Sequence, residues 1–388
     1  QFVHLYVKDN TEESGGKFED YGIYTQVEQL NKTALKSHGL DSNGQLYKIN
    51  SFEFYRYEDI IKKEDDAGYD KTAFEKMLEI KGDSDHTKLI DMLTDLNDYS
   101  IGIEDVLKEH FDEENIVYWM AFQILMGNVD TQNRNVYLYS PLNSDIWYFI
   151  AWDNDGCLMR PEYELRNFSD QNSWEKGISN YWGNILFQRC LKSRSFREKL
   201  NDAILDLREY LNKDMLTSKI ESYKNVLKPY LYLMPDAEYE PLTSEQYDQI
   251  AASLPDEIEK NYQLYLESLE TPMPFYIGVP TIDGDKLKFN WDVSYDLDAE
   301  DITYSVEVAR DYLFRDVIYQ NTTLTVPEAE MDLPEAGQYF VRVRATNTSG
   351  KTQDAFDYYV TDEGKHYGMK CFYITEDNTV EEDIYEEG

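Results

Sequence analysis

The chain has little that could bind a metal through sulfur or nitrogen. It carries three cysteines (Cys157, Cys190, Cys371) and five histidines (His4, His38, His86, His110, His366) among 388 residues. The cysteines form no CxxC pair and no disulfide framework. The histidines form no HxH or HExxH, which argues against a zinc site. No apolar run reaches the roughly 18–20 residues that span a bilayer. Basic residues are scarce too: 37 Lys and Arg stand against 76 Asp and Glu, a net charge of −39. Such a surface repels phosphodiesters and anionic lipid, so no nucleic-acid partner is expected and the charge serves solubility. There is no GxxxxGK[ST], which excludes a P-loop, and no serine nucleophile elbow. The chain opens on Gln-Phe-Val-His-Leu-Tyr-Val with no initiator Met, basic n-region or apolar h-region. It opens inside a strand pattern, and the expectation is that further sequence precedes Gln1.

What is present describes a globular protein of two or three domains, with 41% hydrophobic residues. QFVHLYVKD and YGIYTQVEQ alternate as strands around a turn-like NTEESGGKFED, and GQLYKINSFEFY again reads as strand. Residues 59–110 are charged and read as helix or loop. DEENIVYWMAFQILM (112–126) is the clearest helix. Asp112 serves as its N-cap, Glu113 and Glu114 lie at the positive end of its dipole, and Gly127 stops it. Nearly all its faces are apolar, so it should be central and buried. VYLYS (136–140) and IWYFIAW (146–152) follow as a hairpin around PLNSD. The pattern is helical from about 183 to 270. Beyond TPMPF (271–275) short alternating strands with turns every ten or so residues suggest a β-sandwich. The expected domains are 1–270, 271–363 and an acidic tail, 364–388.

One constellation could do chemistry. If Ser140 pairs near Trp147, opposed residue numbers in the hairpin sum to about 287, and opposed Cβ atoms lie about 5 Å apart. Asn135 then falls opposite Trp152, with Asp153 one step beyond. Asp130 enters the same open end from GNVDTQNRN, and Asp155 follows in the exit loop. Carboxylates and an amide offer only oxygen to a cation, which suits Mg²⁺ or Mn²⁺. A metal, its ligands and an Asp that orients a hydroxyl are what phosphoryl transfer requires. Ordinary turn chemistry for Asp130 and Asn135 is an alternative. So is a calcium loop at DNDG with Glu162, although position one would be Ala151 and the flank is a strand.

At these residues the chain resembles the CotH kinase family, the spore-coat and secreted protein kinases of bacteria. The matching core is N-x-D-x-x-x-x-N, a strand, then W-x-x-x-x-W-D-x-D: Asn128, Asp130, Asn135, Trp147, Trp152, Asp153 and Asp155. Upstream, Gly22, Tyr24 and Glu28 resemble the family's G-x-Y-x-x-x-E block, and GQLYKIN resembles its Leu-Tyr-Lys ending in Lys48. Downstream, NILFQRCLKSRSFREKL resembles the helical segment after the catalytic loop. The resemblance spans about 1–270 and implies an α+β atypical protein-kinase fold. It makes Asp130 the catalytic Asp and Asn135 and Asp153 metal ligands, with Asp155 a further candidate metal ligand. Trp147 becomes a candidate to stack on adenine, and Lys48 and Glu28 candidates for the phosphate side. ATP and Mg²⁺ or Mn²⁺ are the implied cofactors. Family members begin with further strands, carrying an Arg-Gly block and a Lys, that precede the part matched here.

The C-terminal segment resembles a fibronectin type III domain. Trp291 fits its early core Trp. Leu333, Gly337, Tyr339, Val341, Val343, Ala345, Asn347 and Gly350 fit its L-x-x-x-G-x-Y-x-V-x-V-x-A-x-N-x-x-G signature. Tyr339, Val341, Val343 and Ala345 share one strand face and should line the core. The expectation is therefore an α+β kinase-like domain lacking its N-terminal strands, followed by an all-β sandwich. It would be an ATP-dependent Ser/Thr protein kinase acting on secreted or surface proteins, placed outside the cell or at its surface. Its partners would be a protein substrate and, through the sandwich, a cell-surface component. The alternative is a non-catalytic surface protein on a degenerate kinase-like scaffold.

Overall fold

The computed structural model describes residues 1–9, 11, 16–166, 172–362 and 364–383. It divides into two compact units, Gln1–Ser169 with Ser193–Tyr262, and Asp170–Lys192 with Gln263–Gly388. The chain therefore does not divide simply near residue 270, because a segment ending at Lys192 belongs with the second unit.

In the first unit β1 (Phe2–Lys8) and β2 (Phe18–Thr25) pair antiparallel, and among the described residues only with each other. Residues 10 and 12–15 of the turn expected between them lie outside the described residues. Helix α1 (Lys32–Ser37) leads into β3 (Gln45–Ile49), followed by α2 (Lys71–Met77), β4 (Leu78–Ile80), α3 (Thr87–Asn97) and α4 (Ile103–His110). The short β4 replaces loop in a stretch that read as helix or loop. Next come α5 (Glu113–Met126), β5 (Val136–Ser140) and β6 (Tyr148–Ala151), and the sheet order is β4-β3-β5-β6. The register is Val136↔Ala151 through Tyr139↔Tyr148, the one expected from the sequence. The pairing stops one residue early because Trp147 leaves the hairpin. Its N–H donates to the His110 carbonyl at 2.7 Å, and its carbonyl accepts from Asp112 N–H at 3.1 Å.

Helix α5 is built as its sequence predicts. The Asp112 carboxylate accepts from the Asn115 N–H at 2.9 Å, and Gly127 ends the helix with φ +61°. Eight of its residues are buried, and each large apolar one contributes about 1.5–3 kcal/mol. Strand β6 is an edge of the sheet, and α5 covers that edge. The Asn115 side chain donates to the Phe149 carbonyl at 3.1 Å and accepts from its N–H at 2.6 Å. Ladder groups that would otherwise be open to strand addition are thereby occupied. The unit is completed by α6 (Arg160–Arg166), α8 (Arg194–Tyr210), α9 (Lys213–Leu231), α10 (Ser244–Ser253) and the first half of α11 (Glu257–Leu269), while α7 (Ile185–Lys192) lies in the second unit.

Among the described residues the second unit contains eleven strands: β7 (Thr281–Asp283), β8 (Lys286–Asn290), β9 (Ile302–Ala309), β10 (Val317–Leu324), β11 (Glu328–Asp332), β12 (Gly337–Asn347), β13 (Thr352–Asp354), β14 (Tyr358–Thr361), β15 (Gly364–Tyr367), β16 (Met369–Ile374) and β17 (Val380–Glu382). They form a six-stranded sheet in the order β10-β9-β12-β16-β17 with β13 on β12, a three-stranded sheet β11-β8-β7, and the β14-β15 hairpin. Tyr339, Val341, Val343 and Ala345 lie in one buried core with Trp291, as their shared parity requires. The acidic-tail expectation for 364–388 is corrected here. Residues 364–382 supply three strands, and Phe372 and Ile374 of β16 are core residues. Their alternation was overshadowed by the acids around them; residues 384–388 lie outside the described residues. Among the described residues no helix is long and apolar enough to cross a membrane.

The sheet of the first unit rests on a buried histidine. His86 is fully buried, its Nδ1 2.8 Å from the Tyr47 hydroxyl of β3 and its ring stacked on Phe74 at 4.2 Å. Burial holds its pKa below the ordinary histidine value. The unfolded chain then takes up a proton near pH 6.5 that the folded state refuses. Stability should fall as the pH drops from about 6.5 towards the lower folded-state value. Urea melts between pH 7.5 and 5.5 should show this loss, and His86→Phe should flatten it. An equal pH dependence in both proteins would refute the assignment.

Candidate active site

The end of α5, the loop 127–135 and the segment after β6 meet at the open end of the β5–β6 hairpin. Gly127 is required where the helix stops, because its φ is +61° and an added Cβ would lie 2.6 Å from the Asn261 amide nitrogen. That amide donates to the Leu125 carbonyl at 2.9 Å, and its oxygen accepts from Arg160 at 2.6 Å. Arg160 also pairs at 3.2 Å with Glu257, which is 1% exposed. Removing either partner of such a buried pair typically costs about 3–5 kcal/mol. The helix end is thus held from α6 and α11.

From there the chain presents Asp130. The Asn135 amide donates to its Oδ2 at 2.7 Å, and the Arg134 guanidinium lies 3.2 Å from its Oδ1. Asn135 and Asp153 both have left-handed backbone, φ +58° and +54°. Asn and Asp enter that region more readily than other non-glycine residues. Each thus departs from strand geometry where the hairpin opens, and Asn135 meets Asp130 rather than continuing the ladder. Burial raises the Asp130 pKa above the usual carboxylate range; Arg134 and Asn135 oppose this, and the charges of Asp155 and Asp153 add to it. Asp130 thus feels the negative charges of Asp153 and Asp155 while Asn135, a neutral amide, bonds to it directly.

Other predicted site residues lie elsewhere. Trp147 is fully buried, 6.0 Å from Tyr47 with Lys88 over its ring at 5.9 Å. Its expected role against adenine is corrected: a ring enclosed in the core has no face to offer, and it precedes the strand that Asp153 follows. The Glu28 carboxylate bonds His38 at 2.6 Å. Lys48 stands on β3 opposite Tyr137 and Glu79. Among the described residues neither bonds to the four site residues.

The structure adds residues that motif reasoning missed. Glu53 accepts from the Asn133 amide at 2.6 Å and from the Tyr57 hydroxyl at 2.7 Å, bracing the loop from the other side. Gly156 lies against Asn128, where a Cβ would be 2.7 Å from Asn128 Oδ1. Gln123, Asn128 and Asn154 form a cluster of amides beneath Asp130. A lone glutamine in the otherwise apolar stretch 116–126 was the one sequence signal that could have exposed it.

Residues 1–265 match the family described as CotH kinase protein. The chain belongs to the CotH kinase family. No curated protein matches it. Membership suggests a kinase and implies ATP. Among the described residues no three Asp, Glu, His or Cys side chains converge closely enough to hold an ion unaided. Mg²⁺ is commonly held by one or two carboxylates with phosphate oxygens completing the shell. The all-oxygen donor set here fits that pattern. Asn135 spends its amide N–H on Asp130, so its carbonyl oxygen is the end that could face a cation.

Gly156→Ala should displace Asn128 and with it the Asp130 loop. The expected result is at least tenfold slower phosphate transfer with the far-UV spectrum unchanged. Wild-type rates in a folded G156A protein would show that this contact does not shape the site.

Proposed function

We propose that this CotH-family protein is an ATP-dependent Ser/Thr protein kinase acting on secreted or surface proteins. The observation that carries the reading is Asp130, half-exposed, hydrogen-bonded to Asn135 and under the charges of Asp153 and Asp155. Asp130 orients the acceptor hydroxyl and draws off its proton. The hydroxyl oxygen forms the new bond to the γ-phosphorus as the bond to the bridging oxygen breaks and ADP leaves. Asp153 and Asn135 would hold Mg²⁺ or Mn²⁺, with Asp155 adding negative charge; a bound cation supplies charge neutralisation for the phosphates. Protein substrates of this class would place the chain outside the cell or at its surface.

For the second unit the reading is a fibronectin type III-like spacer or binding module. A three-stranded sheet in the order β7-β8-β11 beside a sheet containing β10-β9-β12-β16 supports it. So does the Tyr339 hydroxyl, which donates to the Glu335 carbonyl at 2.7 Å, a corner seen in related sandwiches. A cell-surface partner would dock there.

The test is transfer of labelled phosphate from ATP, with Mg²⁺ and with Mn²⁺, to the protein itself and to a mixed protein acceptor. Asp130→Asn and Asp153→Asn should each reduce transfer by roughly 10²–10⁴-fold without lowering the melting temperature. Asn135→Gly keeps the left-handed backbone but removes the amide, and should lose activity as well. Undiminished transfer in the two aspartate variants would overturn the site. Absence of transfer by the wild-type protein with either metal would favour a non-catalytic surface protein.

A further inference from the structure

From Ile116 to Met126, Gln123 is the only residue of α5 with an amide or charged side chain, and it is fully buried. An unsatisfied amide there would cost about 1–3 kcal/mol, and an apolar residue of the same shape would avoid the risk. Both of its ends are used. Nε2 donates to Asn154 Oδ1 at 3.1 Å, and Oε1 accepts from Asn128 Nδ2 at 3.1 Å. Asn128, 2% exposed, also reaches Asn154 Oδ1 at 3.5 Å, and its own Oδ1 accepts from the Asp130 N–H at 3.4 Å. The triangle is therefore closed. One corner lies on the helix, one in the loop that carries Asp130, and one between Asp153 and Asp155.

Resting on the reading of Asp130 and Asp153 as the working pair, we propose that Gln123 is a positioning residue that couples their two loops. The geometry of one loop is then conditional on the other. The loops join opposite strands of a hairpin at its open end, where the ladder no longer holds them in register. Phosphoryl transfer relies on placement, and errors of about 1 Å are costly. A hydrogen-bonded polar cluster with two of its three members buried is a rigid way to supply that placement.

Hydrogen exchange of the full chain reads the coupling directly. In Gln123→Met, peptides covering 127–135 and 152–158 should both exchange roughly tenfold faster, about the loss of one net hydrogen bond, while α5 stays protected. Asn154 is exposed, so changing it does not threaten the helix. Asn154→Ala should speed exchange in 127–135, a loop to which Asn154 does not belong, whereas Asn154→Asp, which keeps the acceptor oxygen, should not. In phosphate transfer, Gln123→Met and Asn154→Ala should lose kcat by more than tenfold, and Asn154→Asp should restore most of it. If Asn154→Ala leaves 127–135 unchanged, or Gln123→Met loosens only one loop, the coupling is wrong. The exchange result decides this even if the wild-type protein transfers no phosphate, so the two readings fail separately.

Discussion

A helix that is apolar on nearly all faces must be largely enclosed, and the enclosure of α5 sets the layout of the first unit. Its flank lies on β6, where Trp119 packs against Phe149 at 5.1 Å and Asn115 occupies the strand's open edge. Its start is tied to Trp147 through His110 and Asp112. Its end is held by Asn261 against Gly127. With both ends and one side determined, the loop that leaves it can emerge only at the open end of the β5–β6 hairpin. The carboxylates gather there for that reason.

At that place ordinary stability rules are relaxed. Two non-glycine residues take left-handed backbone, and three carboxylates share one field. Left-handed conformations of this kind typically cost about 1–3 kcal/mol each and persist where the surroundings over-determine them. Here the surroundings are Glu53 on one side and the Gln123–Asn128–Asn154 amides beneath. Charge crowding of this sort is a burden to a folded protein alone and an asset to one that binds a cation with phosphate. The same local conflict that destabilises the loop would suit the phosphoryl transfer proposed for it.

Much of this was legible in the chain. The helix 112–126, its Asp112 cap and its Gly127 stop follow from local rules, and the structure reproduces them. The hairpin register follows from the period of two, and so does the buried face of Tyr339, Val341, Val343 and Ala345. Three readings failed for one shared reason. Trp147 looked available because its neighbours in sequence are strand residues, yet β3, α3 and the α4–α5 junction bury it. Residues 364–382 looked like a tail because acids dominate them, yet β12 offers β16 a ladder. The boundary near 270 missed a segment that returns to the other unit. In each case the deciding partner lies far away along the chain.

By itself, then, the sequence determined the type of most elements of the first unit and the hairpin register, because each depends on residues within a turn or a strand of one another, and it pointed to the family through motifs spread from Gly22 to Asp155. The D-x-x-x-x-N spacing belongs to this class. Only the tertiary structure decided which polar residues support that spacing and which aromatic is sealed away. Gln123 and Asn154 lie 3.1 Å apart although one is in a helix and the other beyond two strands. Burial turns that contact from a solvated polar pair into a constraint, since an amide removed from water must find its partner inside the protein.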